Sequence, residues 1–92
     1  MKILGYEYEV IRDQAVNDLA SMGRCQASSL KIHVASDLAK QQAESTMLHE
    51  IIEALNFHLS FDMEHRVIMG IEAALYQCLV DNGVDLSPLL KE

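Results

Sequence analysis

From Ser36 to Leu59 the chain runs through 24 residues without a glycine or a proline. Its apolar residues Leu48, Ile51, Ile52, Leu55 and Leu59 recur at helical spacing. A long amphipathic helix is therefore predicted here, with Ser36 or Asp37 as its N-cap. Ser60 to Met63 can turn the chain, Asp62 can cap again, and a second helix is predicted from Glu64 to Asp81, where Asn82-Gly83 ends it. Two long helices joined by so short a link are antiparallel neighbours. Upstream, Leu4, Tyr6, Tyr8 and Val10 alternate with Gly5, Glu7 and Glu9, which predicts a half-buried strand over residues 2–11. Leu30, Ile32 and Val34 alternate with Lys31 and His33 and predict a second strand. Between them Asp13 to Met22 reads as a short helix or turn closed by Gly23. The pattern implies an α+β fold: two short antiparallel strands packed on two long antiparallel helices, with residues 1–92 forming a single domain.

Charge and cysteine usage narrow the function classes. The formal charge is −7 and the seven Lys and Arg are scattered, so there is no basic footprint for nucleic acid or an anionic membrane. Cys25 and Cys78 lie far apart without a C-x-x-C, which fits reduced, buried thiols in a cytoplasmic protein. The first residues carry acid where a signal sequence needs an apolar run, and no stretch approaches the roughly 20 apolar residues of a membrane span. The expectation is a soluble protein of the cytoplasm.

The chemistry lies in Leu48-His49-Glu50-Ile51-Ile52-Glu53, an H-E-x-x-E string followed downstream by Glu64-His65. At about 100° per residue, Glu53 falls about 40° round the helix from His49 and one turn on, so the two project from one face. On the second helix His65, Ile68, Met69, Glu72, Tyr76 and Leu79 share a face that should meet the first helix. Imidazoles and carboxylates taken out of water need pairing, hydrogen bonds or a metal. One zinc ion held by His49, Glu53 and His65 would have the two-imidazole, one-carboxylate set of catalytic zinc. Glu50, beside the first ligand, would act as general base. Glu72 is either an alternative or additional ligand or an acceptor that orients a ligand imidazole. Tyr76 would polarise a substrate carbonyl or sit in the core with its hydroxyl satisfied.

The run Leu30-Lys31-Ile32-His33-Val34, then Gln41-Gln42 and Ser45-Thr46-Met47-Leu48-His49-Glu50, resembles the edge strand and active-site helix of small single-domain zinc metallopeptidases of bacteriophages and prophages. The stretch Glu72 to Asn82 is similar to that group's second helix, and the resemblance spans roughly residues 30 to 83. It implies a minimal zincin-like fold, peptidase activity on a peptide or protein substrate, and a host-cytoplasm location for a phage-encoded chain. It also implies that the strand carrying Leu30, Ile32 and Val34 binds extended substrate along its edge. Glu53 stands where that group's motif has its second histidine.

Plainer readings exist for each residue. A single His49 or His65 can be a core or capping histidine, and Glu50 and Glu53 can be solvent-facing helix formers. His58, about 180° round the helix from His49, reads as structural or exposed. His33 lies on the polar side of its strand, Asp62 reads as a cap, and Met47, Met63 and Met69 read as core filler. Three functions follow: a zinc-dependent peptidase, a catalytically silent metal-binding regulatory module of phage origin, or a helical interaction domain without metal. The last would pair as a homodimer through apolar surface such as Leu86, Leu89 and Leu90.

Overall fold

The computed structural model describes residues 1–14 and 22–91, so the short helix or turn expected between Asp13 and Met22 lies mostly outside the described residues. The chain folds as β1 (Lys2–Ile3), β2 (Tyr6–Glu7), β3 (Glu9–Asp13), β4 (Gly23–Gln26), β5 (Lys31–Ala35), α1 (Lys40–Leu59) and α2 (His65–Asp81). Single 3-10 turns follow at Ala27–Ser29 and Ser87–Leu90.

The strand expected over residues 2–11 is broken. Leu4 (φ 53°) and Gly5 (φ 83°) are both left-handed, the two-residue geometry that turns a hairpin with the natural twist of its strands. β1 and β2 pair across it, Lys2 opposite Glu7 and Ile3 opposite Tyr6, and the N-terminal ammonium reaches Glu7 at 2.7 Å. The period-two signal survives only where it faces the core. Tyr8 and Val10 are buried, whereas Leu4 and Tyr6 are exposed on the hairpin.

The second sheet has the order β3-β5-β4. β5 runs parallel to β3, with Val10 opposite Ile32, and antiparallel to β4, with Cys25 opposite Ile32. This corrects the expected fold twice. The two strands legible in the sequence pair in parallel, and the antiparallel partner is β4, a four-residue strand too short to show a period. It also removes β5 from the edge, because both its sides are hydrogen-bonded and Ile32 and Val34 are fully buried. Leu30 precedes the strand in a left-handed conformation that closes the 3-10 turn.

α1 begins at Lys40 with Ala39 at its N-cap and no side-chain cap bond, later than Ser36 or Asp37 would place it. The Ser36 N–H is already committed, donating to the Asp13 carbonyl at 3.2 Å. Ala43, Met47 and Ala54 pack with Val10, Ile32 and Val34 of the sheet. Leu48 and Ile52 instead pack with Ile68 of α2, joined by Met63 and Tyr76. α1 is thus the middle layer between sheet and α2. Contacts between the helices run in opposite senses: Glu53 meets His65, whereas Glu44 meets Tyr76.

Ser60 ends α1 in a left-handed conformation, its N–H on the carbonyls of Asn56 and Phe57. The cap of α2 is Glu64, not Asp62. Asp62 instead takes a positive φ of 56° in the link, and the Asn56 side chain fastens the link by accepting the Met63 N–H at 2.9 Å. Met47 is core and Met63 half-buried, but Met69 is exposed. Leu86 is buried and Leu89 and Leu90 pack on the core, so these leucines are not surplus surface. The exposed apolar residues of α2 are Val67, Met69, Ile71 and Leu75. No helix among the described residues is long and apolar enough to cross a membrane.

Candidate metal centre

His49 and Glu53 project from successive turns of α1, and His65 is the first residue of α2, delivered beside them by the five-residue link. One donor atom from each of the three lies within 4.8 Å of the others. His49 Nε2 is 3.6 Å from Glu53 Oε2, and His65 Nδ1 is 3.8 Å from the same oxygen. The imidazole rings meet edge to face at 5.0 Å. Donors about 2.0 to 2.2 Å from a tetrahedral zinc stand about 3.3 to 3.6 Å apart. The His49–Glu53 spacing of 3.6 Å lies at the top of that range and the His65–Glu53 spacing of 3.8 Å just beyond it, within the swing of Glu53 and of His65, whose side chain is 67% exposed. The three donors form a group that could hold a metal ion.

Glu72 takes the other side of His49. Its Oε1 lies 2.8 Å from His49 Nδ1, and its second oxygen accepts a hydrogen bond from the Ser45 hydroxyl. A proton on Nδ1 donated to this carboxylate leaves the Nε2 lone pair free on the side of Glu53, the tautomer a metal requires. Glu72 is outside the three-residue donor cluster. Tyr76 packs beside Leu48, Ile52 and Ile68 and its hydroxyl donates to Glu44 at 3.1 Å, the satisfied-hydroxyl alternative of the two read from the sequence. Burial and the Glu44 carboxylate push the Tyr76 phenol up from its ordinary range.

Glu50 points to the sheet side of α1 and is 6% exposed. Burial pushes its carboxyl up to about 7; adjacent His49 opposes the rise, and the charges of Glu53 and Glu72 add to it. A carboxyl in that range can both hold and release a proton near neutrality. What lets it sit there is Gly23 on β4. A Cβ at Gly23 would stand 2.6 Å from Thr46 Cγ2, 3.0 Å from the His33 carbonyl oxygen and 3.1 Å from Glu50 Oε2. Gly23 reads from the sequence as a stop, and a glycine opening a short strand is also a mark of close backbone approach. Cys25, two residues on, is half-buried, and burial together with Glu50 and Glu53 pushes its thiol up to about 11, so it stays a neutral wall of the site.

The cluster opens into two cavities that share Gly23, His49, Glu50 and His65. The larger, about 710 Å³, extends along β4 past Arg24 and Gln26 to Asn56 and Phe57. The smaller, about 460 Å³, extends past Met22, Gln42, Thr46 and Met69 to Glu72. The strand beside the cluster is therefore β4, at the sheet edge among the described residues, and not the strand of Leu30, Ile32 and Val34. The remaining histidines serve elsewhere: His58 Nε2 pairs with the Tyr8 hydroxyl at 2.6 Å, and His33 lies between Asp13 and Gln26. Compared with family models, curated proteins and solved structures, the chain matches none, and the functional reading rests on the geometry of this cluster.

Proposed function

We propose that the protein is a zinc-dependent peptide hydrolase in which His49, Glu53 and His65 hold the metal and Glu50 is the general base. The observation that carries this reading is the convergence of three donors from two helices next to a buried carboxyl poised near neutrality. Zinc, when bound, supplies Lewis acidity: it polarises a substrate carbonyl and makes a water easier to deprotonate. Glu50 takes that proton and later returns it to the leaving amine. At about 7 the carboxylate form is present near neutrality to take the proton, and burial raises its basicity for the task. Glu72 holds His49 in the donating tautomer, and Ser45 anchors Glu72 in turn. The outer edge of β4, which pairs with no further strand among the described residues, suits an extended polypeptide laid along it.

The experiment has two arms. Protein purified without chelator is expected to carry about one equivalent of zinc by elemental analysis, with His49→Ala losing it. Glu50→Gln should keep the zinc and lose cleavage of unfolded polypeptide by at least 100-fold, because an amide cannot accept the proton. Metal-free wild type that gains no stability from added zinc overturns the reading. A second reading, a metal-holding interaction module without turnover, is favoured by the exposed apolar residues Val67, Ile71 and Leu75 on α2; full zinc occupancy without cleavage would select it.

A further inference from the structure

The smaller cavity differs from the larger in its walls. Met22, the residue before β4, and Met69, on the second turn of α2, flank it, and they are 43% and 52% exposed. Met22 is fixed by its backbone, whose carbonyl accepts the Ala35 N–H of β5 at 2.8 Å. Met69 sits one turn beyond His65, so its thioether stands next to the metal cluster. Two exposed methionines facing one cavity leave apolar area in water, and flexible, polarisable thioethers adapt to side chains of varied shape. The charged carboxyls on the same lining are Glu72, committed to His49 and Ser45, and Glu50; Gln42, Thr46 and the imidazoles of His49 and His65 complete its polar part. The described residues lining this cavity include no Lys or Arg, and beyond the two imidazoles of the donor cluster an acidic side chain would meet the carboxyls of Glu50 and Glu72. At about 460 Å³ the cavity has room for a large side chain.

Building on the metal-dependent reading above, we propose that Met22 and Met69 form a specificity subsite that takes an apolar side chain of the polypeptide substrate immediately beside the metal cluster, and rejects an acidic one. The substrate is then a chain bearing a large unbranched apolar or aromatic residue next to the cleaved bond. The opposite flank, along Arg24 and Phe57, holds the rest of the chain.

Hydroxamates test this without relying on turnover, because the hydroxamate group binds zinc and its tail explores the adjacent cavity. Zinc-loaded protein is titrated calorimetrically with acetohydroxamate, hexanohydroxamate and adipic monohydroxamate. Hexanohydroxamate is expected to bind at least tenfold tighter than acetohydroxamate, and the acidic tail of adipic monohydroxamate to give no gain. Met22→Gln and Met69→Gln, both at exposed positions, should each reduce the hexanoyl gain to threefold or less at unchanged zinc content and unchanged acetohydroxamate affinity. Phe57→Ala, in the other cavity, should leave the gain intact. Zinc uptake and acetohydroxamate binding with no hexanoyl gain, or with a gain that survives both methionine variants, overturns the subsite and leaves the metal reading standing. Failure to take up zinc overturns the metal reading, and the subsite with it.

Discussion

At the scale of single residues, the site depends on carboxyls placed where water cannot fully reach them. Glu50 gives the sharpest case, since its folded-state value of about 7 lies above the ordinary 4.5. The native state therefore binds this proton more tightly than the unfolded chain. The resulting stability is fully present below about pH 4.5 and is lost as pH rises through about 7. In chelator-treated protein, Glu50→Gln should match wild type near pH 4.5 and exceed it above pH 7 by on the order of 2 to 3 kcal/mol in urea denaturation. A pH-independent difference would mean the carboxyl is better solvated than its burial indicates. In the proposed centre Glu72, paired with His49 Nδ1, would act through that imidazole rather than on the metal. Glu72→Ala should accordingly weaken zinc binding by about 10- to 100-fold, as loss of an orienting acceptor does, and His65→Ala should weaken it further. Competitive titration against a chromophoric chelator ranks the two variants, and the reverse order would exchange their roles. Glu53 and its relation to His49 were legible in the sequence because both lie on one helix, one turn apart. For Tyr76 the sequence left two alternatives, and the choice of Glu44 as the partner of its hydroxyl is a contact set by how two helices cross.

At the scale of elements, two glycines of opposite meaning separate turn geometry from helix propensity. Gly5 occupies a left-handed position (φ 83°) in the β1–β2 turn, whereas Gly70 lies in α2 with nothing within 4 Å of where a Cβ would be. Gly5→Ala should lower stability by about 1 kcal/mol or more, and Gly70→Ala should raise it by about 0.5 to 1 kcal/mol. Thermal or urea unfolding of the two variants checks the signs, and equal signs would show that one of the two conformations is misassigned. Helix α1 owes its position to burial from both sides, with Met47 inside the sheet-facing cluster and Ile52 inside the α2-facing one. Its N-terminus was expected too early because the capping preference of Ser36 and Asp37 is a local signal. The Ser36 backbone is instead held by Asp13 at the end of β3.

At the scale of the whole molecule, the layers run sheet, α1, α2, and the donor cluster bridges the last two. Ile68 is the single buried residue among the 17 of α2. A metal shared by His49, Glu53 and His65 would therefore tie the outer helix to the rest. Zinc at about 100 times its dissociation constant should add about 2.7 kcal/mol to unfolding and raise Tm by on the order of 10 °C, with chelator reversing both. An unchanged Tm on titration would remove the tie. The two helices, the burial of Ile32 and Val34, and the parallel projection of His49 and Glu53 were determined by the sequence itself. A helix closes its hydrogen bonds four residues away, and a strand facing a core shows its period in the residues that make it. The hairpin at Leu4-Gly5, the existence of β4, the central place of β5, the meeting of His65 with Glu53 and the pairing of Glu72 with His49 were decided only by tertiary structure. Each depends on a partner far away in the chain, and no local period or propensity encodes which segment will supply it.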